Sequence, residues 1–580
     1  MPHSFRVRAL ASAGVLALSL GLIGGPLPAS ARASYDKTSA REKKRVDSVP
    51  TPKLTWHSCF EEHQCAEVKL PRDYDRPKGA KTTLALLRYR SPDQTKRIGT
   101  LFVNPGGPGG WATEMAYYAP EFFSSDILER FDIVGVDPRG VGYSDNARCF
   151  ADPGKQAPVL NALDGPGFPT TKAETTRYLR AAKAQGQACA TAGKPLSVSM
   201  STAAVARDMD VLRRAVGDAK LSYLGFSYGT YLGQVYANLF PDRVRALALD
   251  GVVDPGAWRG SKATRNVPRW DRLRSADGSY KALRELLVRC NRAGGQRCSF
   301  ALGDPVANFD LIYQRLKKHP LGLDDDEGNT VGYGHDNLVS DLRDILYDPY
   351  GGYYLSDLLL QLLMLTEPPA ADAADAAGDR RRAAERALAA VRHRIAERAE
   401  VQHRPGAGFP YDNSLDAAVS ITCTDGVQPD DIADTPTHVA KVAKRVSYFS
   451  ELWAWNDPFC AKNAFSAQDE DRYRGSFTRR TVKPLLFVGN YWDPVTRYES
   501  AVKATRLSPN SRLLSSDSWG HLAYGSSECV TSAVGSYLVR LTLPAEGKVC
   551  VGDVQPFGEA EEDEEESAQL RAHQLVRPPR

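Results

Sequence analysis

Leu221-Ser222-Tyr223-Leu224-Gly225-Phe226-Ser227-Tyr228-Gly229 is the stretch on which the reading of this chain turns. Residues 221–224 are an apolar run with the length of a buried strand, and residues 231–239 have the content of a helix. Between them, two glycines flank a serine in the pattern Gly-x-Ser-x-Gly. Such a turn takes the chain sharply from strand to helix and lifts the serine oxygen above the sheet edge. Three fixed common residues recur by chance, and an ordinary glycine turn would explain them. The strand before and the helix after supply the setting in which the pattern has chemical meaning.

Outward from this turn the same alternation repeats. Residues 83–88, 100–104 and 131–136 read as short strands, and 201–215 place Val205, Met209, Val211 and Leu212 near helical spacing. Strand, helix, strand, helix in that order predicts a mostly parallel sheet with helices on both faces. After a strand at 246–250 the pattern becomes helical and aromatic for more than two hundred residues, without evident buried strands. The sheet pattern returns at 482–489 and 512–514, so a large, mainly helical cap is expected as an insertion in the core. Within the cap, 355–365 is nearly continuous apolar sequence, too short to cross a bilayer and expected as a buried helix. Residues 370–400, rich in Ala, Arg and Glu, read as an exposed helical excursion or mobile loop.

A serine hydroxyl is a poor nucleophile and needs a base, which needs an acid to fix its tautomer and stabilise its charge. Asp493 follows the strand at 482–489, and His521 lies in the turn after 512–514. The order Ser227, Asp493, His521 is that of the α/β-hydrolase fold. Asp517 is a rival acid four residues before His521, and Asp250 and Asp254, just ahead of the cap, are lesser ones. The tetrahedral intermediate also needs backbone donors. Asn104-Pro105-Gly106-Gly107-Pro108-Gly109-Gly110 follows a strand directly, so the N–H groups of Gly107 and Tyr228 are the expected oxyanion hole. This loop lacks the lysine of a phosphate cradle.

The chain as a whole has 580 residues and a net charge of +4 on 74 basic and 70 acidic side chains, so nucleic acid is not an implied partner. Residues 1–33 read as a secretory signal: Arg6 and Arg8, an apolar stretch over 9–22, then cleavage options near Ala31 or Ala33. Secretion is therefore expected, with no membrane span in the mature chain. Residues 34–55 form an N-terminal arm whose basic run, 41–45, is expected as a solvated tail. The core is assigned to 56–255 and 481–551, the cap to 256–480, and an acidic disordered tail to 552–580, where seven carboxylates fall within residues 559–566. Ten cysteines in an exported chain favour disulfides. Neighbour pairing gives Cys59 with Cys65, Cys149 with Cys189, Cys290 with Cys298, Cys423 with Cys460, and Cys529 with Cys550. No Cys-x-x-Cys or His-Glu-x-x-His pattern occurs, so neither metal nor cofactor is expected.

The Asn-Pro-Gly-Gly-Pro-Gly-Gly loop, Asp137-Pro138-Arg139-Gly140-x-Gly142-x-Ser144, Gly-Phe-Ser-Tyr-Gly-Thr, Asp493-Pro494-Val495-Thr496 and Gly520-His521 together resemble the prolyl aminopeptidase family. Closer still are its secreted tripeptidyl aminopeptidases, which share a segment similar to Ile421-Thr422-Cys423-Thr424-Asp425; the likeness runs from about Trp56 to Cys550. The resemblance implies release of short peptides, tripeptides among them, from free N-termini, with the cap limiting access and acidic side chains holding the substrate amine. Asp425 and Glu451 are candidates for that role by position in the cap. Two departures stand out: Arg497 where such enzymes often have proline, and Leu522 after His521 where glycine is common. A carboxylesterase with the same triad, or a binding protein that lost catalysis, are the alternative readings.

Overall fold

The computed structural model describes residues 34–60, 62–163, 167–324, 330–367 and 411–558, with Arg382, Arg386 and Ala389 besides. The signal segment, nearly all of the 370–400 excursion and the 559–566 acidic run lie outside the described residues.

Among the described residues there are twelve strands: β1 His57–Cys59, β2 His63–Pro71, β3 Lys81–Tyr89, β4 Gly99–Asn104, β5 Phe131–Val136, β6 Leu221–Phe226, β7 Val244–Asp250, β8 Leu321–Asp324, β9 Thr330–Tyr333, β10 Leu486–Asn490, β11 Arg512–Asp517 and β12 Val549–Val551. Ten form one sheet in the order β1-β2-β3-β5-β4-β6-β7-β10-β11-β12. β1, β2 and β3 pair antiparallel at one edge, and every pairing from β5 to β12 is parallel. This is the α/β-hydrolase architecture that the alternation predicts. β4 and β6 are buried along their whole length, as strands covered on both faces must be. β2 alternates instead, with Ala66, Val68 and Leu70 buried and Glu67 and Lys69 exposed. Such an amphipathic strand lacks the continuous apolar run by which the central strands are recognised.

The arm is not a solvated tail. Residues Ala40–Asp47 form a helix capped by Ser39, and Glu42, Arg45 and Val46 are buried. Arg45 pairs with Glu42 at 3.0 Å, with Asp75 at 2.6 Å and with Asp471, while Glu42 also takes Arg207 at 2.7 Å. Arg45 is held because carboxylates from two distant segments, Asp75 and Asp471, join Glu42 of its own helix around it. Likewise the packed chain continues past residue 552: the Gly552 N–H donates to the Asp517 C=O, and Phe557 is buried against the cap.

The cap has its own apolar cluster, in which the helix Gly351–Thr366 buries Leu355, Leu358, Leu359, Leu362 and Leu363. It also contains one hairpin, β8 with β9, where no strand is expected from the sequence. Residues between β5 and β6 contribute as well. The helix Lys172–Thr191 packs against cap residues, where Gln185 donates to Asp416 at 2.6 Å. All five cysteine pairs form as the spacing suggests, and no cysteine is free. No helix among the described residues is long and apolar enough to cross a membrane.

Candidate active site

Ser227 sits between β6 and the helix Tyr228–Leu239 with φ +52° and ψ −123°, a backbone conformation that only a sharply constrained turn retains. The flanking glycines are required by contact. A Cβ on Gly225 would lie 2.6 Å from the Gly229 C=O, and one on Gly229 would lie 2.8 Å from that of Asn104. The helix that follows points its N-terminus at the serine, and the Tyr228 N–H, first in that helix, has no intrahelical acceptor.

The glycine loop after β4 lies directly against this turn. A Cβ on Gly106 would meet Phe226 O at 2.5 Å, Ser227 Cβ at 2.9 Å and Tyr228 N at 3.0 Å. The Asn104 side-chain oxygen accepts the Gly106 N–H at 3.0 Å and fixes the loop's first bend. Gly107 then borders the cavity that opens beside Ser227. The two N–H groups expected to bind an oxyanion are thus brought to one side of the serine.

His521 and Asp493 meet as the sequence order anticipates. His521 Nδ1 is 2.8 Å from Asp493 Oδ2, and both side chains are buried. Asp493 is a fully occupied acceptor: Oδ1 takes the Val495 and Thr496 N–H groups at 2.8 Å each, and Oδ2 takes the Thr496 hydroxyl at 2.9 Å. With Nδ1 taken by Asp493, Nε2 is the ring nitrogen left for reactants. Nε2 is buried and makes no hydrogen bond, to Ser227 Oγ or otherwise, among the described residues. Hydrogen bonds of this kind are commonly long before substrate binds.

None of the rival acids contacts the ring. Asp517 accepts Trp492 Nε1 at 2.6 Å and pairs with Arg289 at 3.7 Å. Asp254 caps the helix Pro255–Arg259 and takes Lys503 Nζ at 2.7 Å. Asp250 bonds backbone N–H groups beyond His521. The two cap carboxylates named for the substrate amine are not on the cavity wall. Asp425 is buried and accepts the Thr202 N–H at 2.7 Å, its hydroxyl at 2.6 Å and Trp258 Nε1 at 3.2 Å, and burial pushes its carboxyl up to about 6. It supports the wall from behind. Glu451, half-buried on the helix Phe449–Ala454, does not border the cavity either. The carboxylate that does is Asp254.

The cavity runs from Gly107, Ser227 and Tyr228 to Val252, Val253, Trp258, Trp270, Leu273 and Val495. Its wall is mostly aliphatic and aromatic. Trp258 is fully buried, its ring tilted against that of Tyr228 with centroids 5.3 Å apart.

Several supports of the site are not evident from motifs. Trp492 and Trp519, each beside a triad candidate, stack at 5.3 Å and 12°, with the Arg289 guanidinium over the Trp519 ring at 4.9 Å. Both tryptophans stand out in the sequence, but only the parallel pairing of β10 with β11 brings them together. Leu522 has φ +81°, the left-handed region in which glycine is at ease, which explains why glycine is common there. Arg497 has φ −51°, a value proline shares, so that departure leaves the backbone undisturbed.

Comparison with known proteins agrees with this geometry. Residues 99–527 match the alpha/beta hydrolase fold family. The chain is 29% identical to the Serine protease Hip1 of Mycobacterium tuberculosis over 84% of its length and 87% of the relative's. It is 26% identical to the Tripeptidyl aminopeptidase of Streptomyces lividans, over 95% of this chain and 98% of that one. It is also 30% identical to Carboxylesterase B of Mycobacterium tuberculosis, over 95% of this chain and all of that one.

Proposed function

We propose that this chain, which belongs to the α/β-hydrolase fold family, is a secreted serine exopeptidase that releases short peptides, tripeptides foremost, from free N-termini. The observation that carries the reading is the alignment of an elbow serine, a buried His521–Asp493 pair at 2.8 Å and an apolar cavity opening on Ser227. Relatives named as a serine protease and as a tripeptidyl aminopeptidase support it.

In the proposed mechanism His521 Nε2 takes the Ser227 proton as Oγ bonds to the scissile carbonyl carbon. Asp493 holds the ring and stabilises the imidazolium. The Gly107 and Tyr228 N–H groups take the oxyanion charge. The tetrahedral intermediate collapses, the C–N bond breaks, and the amine leaves with the proton from Nε2. Water then attacks the acyl-enzyme, giving its proton to His521, and Ser227 recovers its hydrogen as the peptide acid departs. Val252, Trp258, Trp270 and Leu273 form the pocket for the apolar side chain of the residue at the cleaved bond. Asp254, the carboxylate on the same cavity, offers the substrate ammonium an acidic partner.

A carboxylesterase is the second reading, favoured by the relative of that name at 30% identity over 95% of the chain. The test is a matched set of chromogenic substrates given to the mature protein: Pro, Ala-Pro and Ala-Ala-Pro anilides, free and N-blocked, and a short-chain ester. Hydrolysis of the free tripeptide anilide, lost on blocking and lost in Ser227→Ala, supports the exopeptidase. Ester turnover with every peptide untouched refutes it in favour of the esterase.

A further inference from the structure

Two carboxylates grip the loop that carries His521. Asp493 Oδ2 takes the ring Nδ1 at 2.8 Å and the Leu522 N–H at 3.3 Å. Asp250 Oδ2 takes the next two donors, the Ala523 N–H at 3.0 Å and the Tyr524 N–H at 2.7 Å. Four consecutive residues are thereby fastened between the ends of β10 and β7. The fastening opposes the strain at Leu522, whose φ of +81° costs an L-residue about 1–2 kcal/mol.

Asp250 does more than peg a loop. It is fully buried, and its backbone C=O accepts the Ser227 N–H at 2.9 Å, so one residue is bonded to the nucleophile's backbone and to the segment just beyond the base. A Cβ on its neighbour Gly251 would come within 3.2 Å of His521 Cε1, which shows how closely this strand end approaches the ring. Its Oδ1 is buried without a hydrogen-bond partner among the described residues. A buried carboxylate with one unsatisfied oxygen is a poor structural peg, because a neutral amide accepts the same two N–H groups without the desolvated charge.

We propose that Asp250 is a second acidic residue of this active site, a positioning residue that holds the histidine loop and whose negative charge stabilises the imidazolium formed as Ser227 is deprotonated. The inference rests on the Ser227–His521–Asp493 reading. The titratable groups that act on Asp250 are His521 and Asp493. Burial raises the Asp250 carboxyl to about 6; its backbone donors and His521 oppose the rise and Asp493 adds to it. Its charge is therefore present at neutral pH and lost as the pH falls through that value.

The experiment follows the rate of labelling by a fluorophosphonate against pH, on the mature protein and on Asp250→Asn. This readout needs the activated serine but no particular substrate. Asparagine keeps an oxygen for the two N–H groups and removes only the charge. The expected result is an acid limb whose midpoint falls by about half a pH unit or more, with a plateau rate lowered by up to about tenfold per pKa unit. The limb of the unaltered protein is expected to be steeper than one proton once the pH falls below about 6, where the Asp250 charge is lost as well. That measurement stands even should the variant fail to fold. A variant with the unaltered midpoint, whatever its plateau, assigns Asp250 a structural role only and overturns the proposal. A one-proton limb in the unaltered protein overturns it too. Absence of labelling in the unaltered protein refutes the triad reading itself, and this inference with it.

Discussion

Gly106→Ala tests the oxyanion loop with a single methyl group. Gly106 and Gly109 have nearly the same backbone conformation, φ +98° and φ +101°. Alanine at either position therefore bears a similar left-handed penalty of about 1–2 kcal/mol. Their surroundings differ. The new Cβ at 109 would meet nothing nearer than Ala418 N at 3.5 Å, an ordinary contact, whereas at 106 it would lie 2.5 Å from Phe226 O. To restore van der Waals distance the loop must move about 1 Å away from the nucleophile, and a displacement of that size costs about 10²-fold in rate. Losing one oxyanion donor outright costs about 10²–10³-fold, or roughly 3–4 kcal/mol. The two variants should thus lose comparable stability in thermal unfolding, while fluorophosphonate labelling and ester turnover fall by about 10² or more in Gly106→Ala and by less than about threefold in Gly109→Ala. Equal rates in the two variants, or an unimpaired Gly106→Ala, would refute the placement of this loop at the reacting carbonyl.

Other consequences can be checked with single measurements. Asp254→Asn keeps a good helix cap but removes the charge on the cavity wall, so KM for free-amine peptides should rise about tenfold while ester KM stays put. Arg45→Met leaves Asp471 and Glu42 short of a buried partner and should destabilise the fold by about 3 kcal/mol in denaturant titration. Arg45 holds the Asp75 carboxyl down at about 2, so this small contribution is present above the ordinary carboxylate range and is lost as the pH falls toward 2; the gap between variant and parent should narrow over that window. Replacing Cys423 and Cys460 by serine opens a loop of sequence separation 37 and should cost up to ~4 kcal/mol in denaturant titration without reductant.

The elements legible in the sequence are those whose signal is local. β6, the serine turn and the following helix announce themselves within twenty residues, and the order of Ser227, Asp493 and His521 follows from strand ends. The five disulfides follow from proximity along the chain. What escaped notice depends on partners distant in sequence. β1 and β2 lie at the antiparallel end of the sheet and lack a continuous apolar run. The helix at 40–47 reads as a charged tail until Asp75, Asp471 and Arg207 are brought around Arg45 and Glu42. Asp425 was named from its position in the cap, yet it is spent on Thr202 and Trp258. A carboxylate's role is set by which donors surround it, and no spacing along the chain records that.

The same non-local contacts decide what the cap does. Its helix Ser275–Ala293 bonds the acid loop at two points, Ser275 Oγ to Val495 O at 2.9 Å and Ser279 Oγ to Pro494 O at 2.7 Å. From the helix His335–Tyr347 the Tyr347 C=O accepts the His521 N–H at 2.9 Å, and its ring lies edge-on to the imidazole at 5.1 Å. Gly520 has to be glycine because a Cβ there would stand 2.7 Å from that same C=O. The loops bearing two of the three triad candidates are therefore held from the cap side as well as from the sheet. A cap that swung away as a rigid lid would release the acid and base loops together, so closure around substrate has to come from side chains and loops that leave these contacts intact. Removing the cap should for that reason abolish fluorophosphonate labelling, not merely broaden specificity; a capless core that still labelled at the parent rate would show that the sheet alone sets the triad.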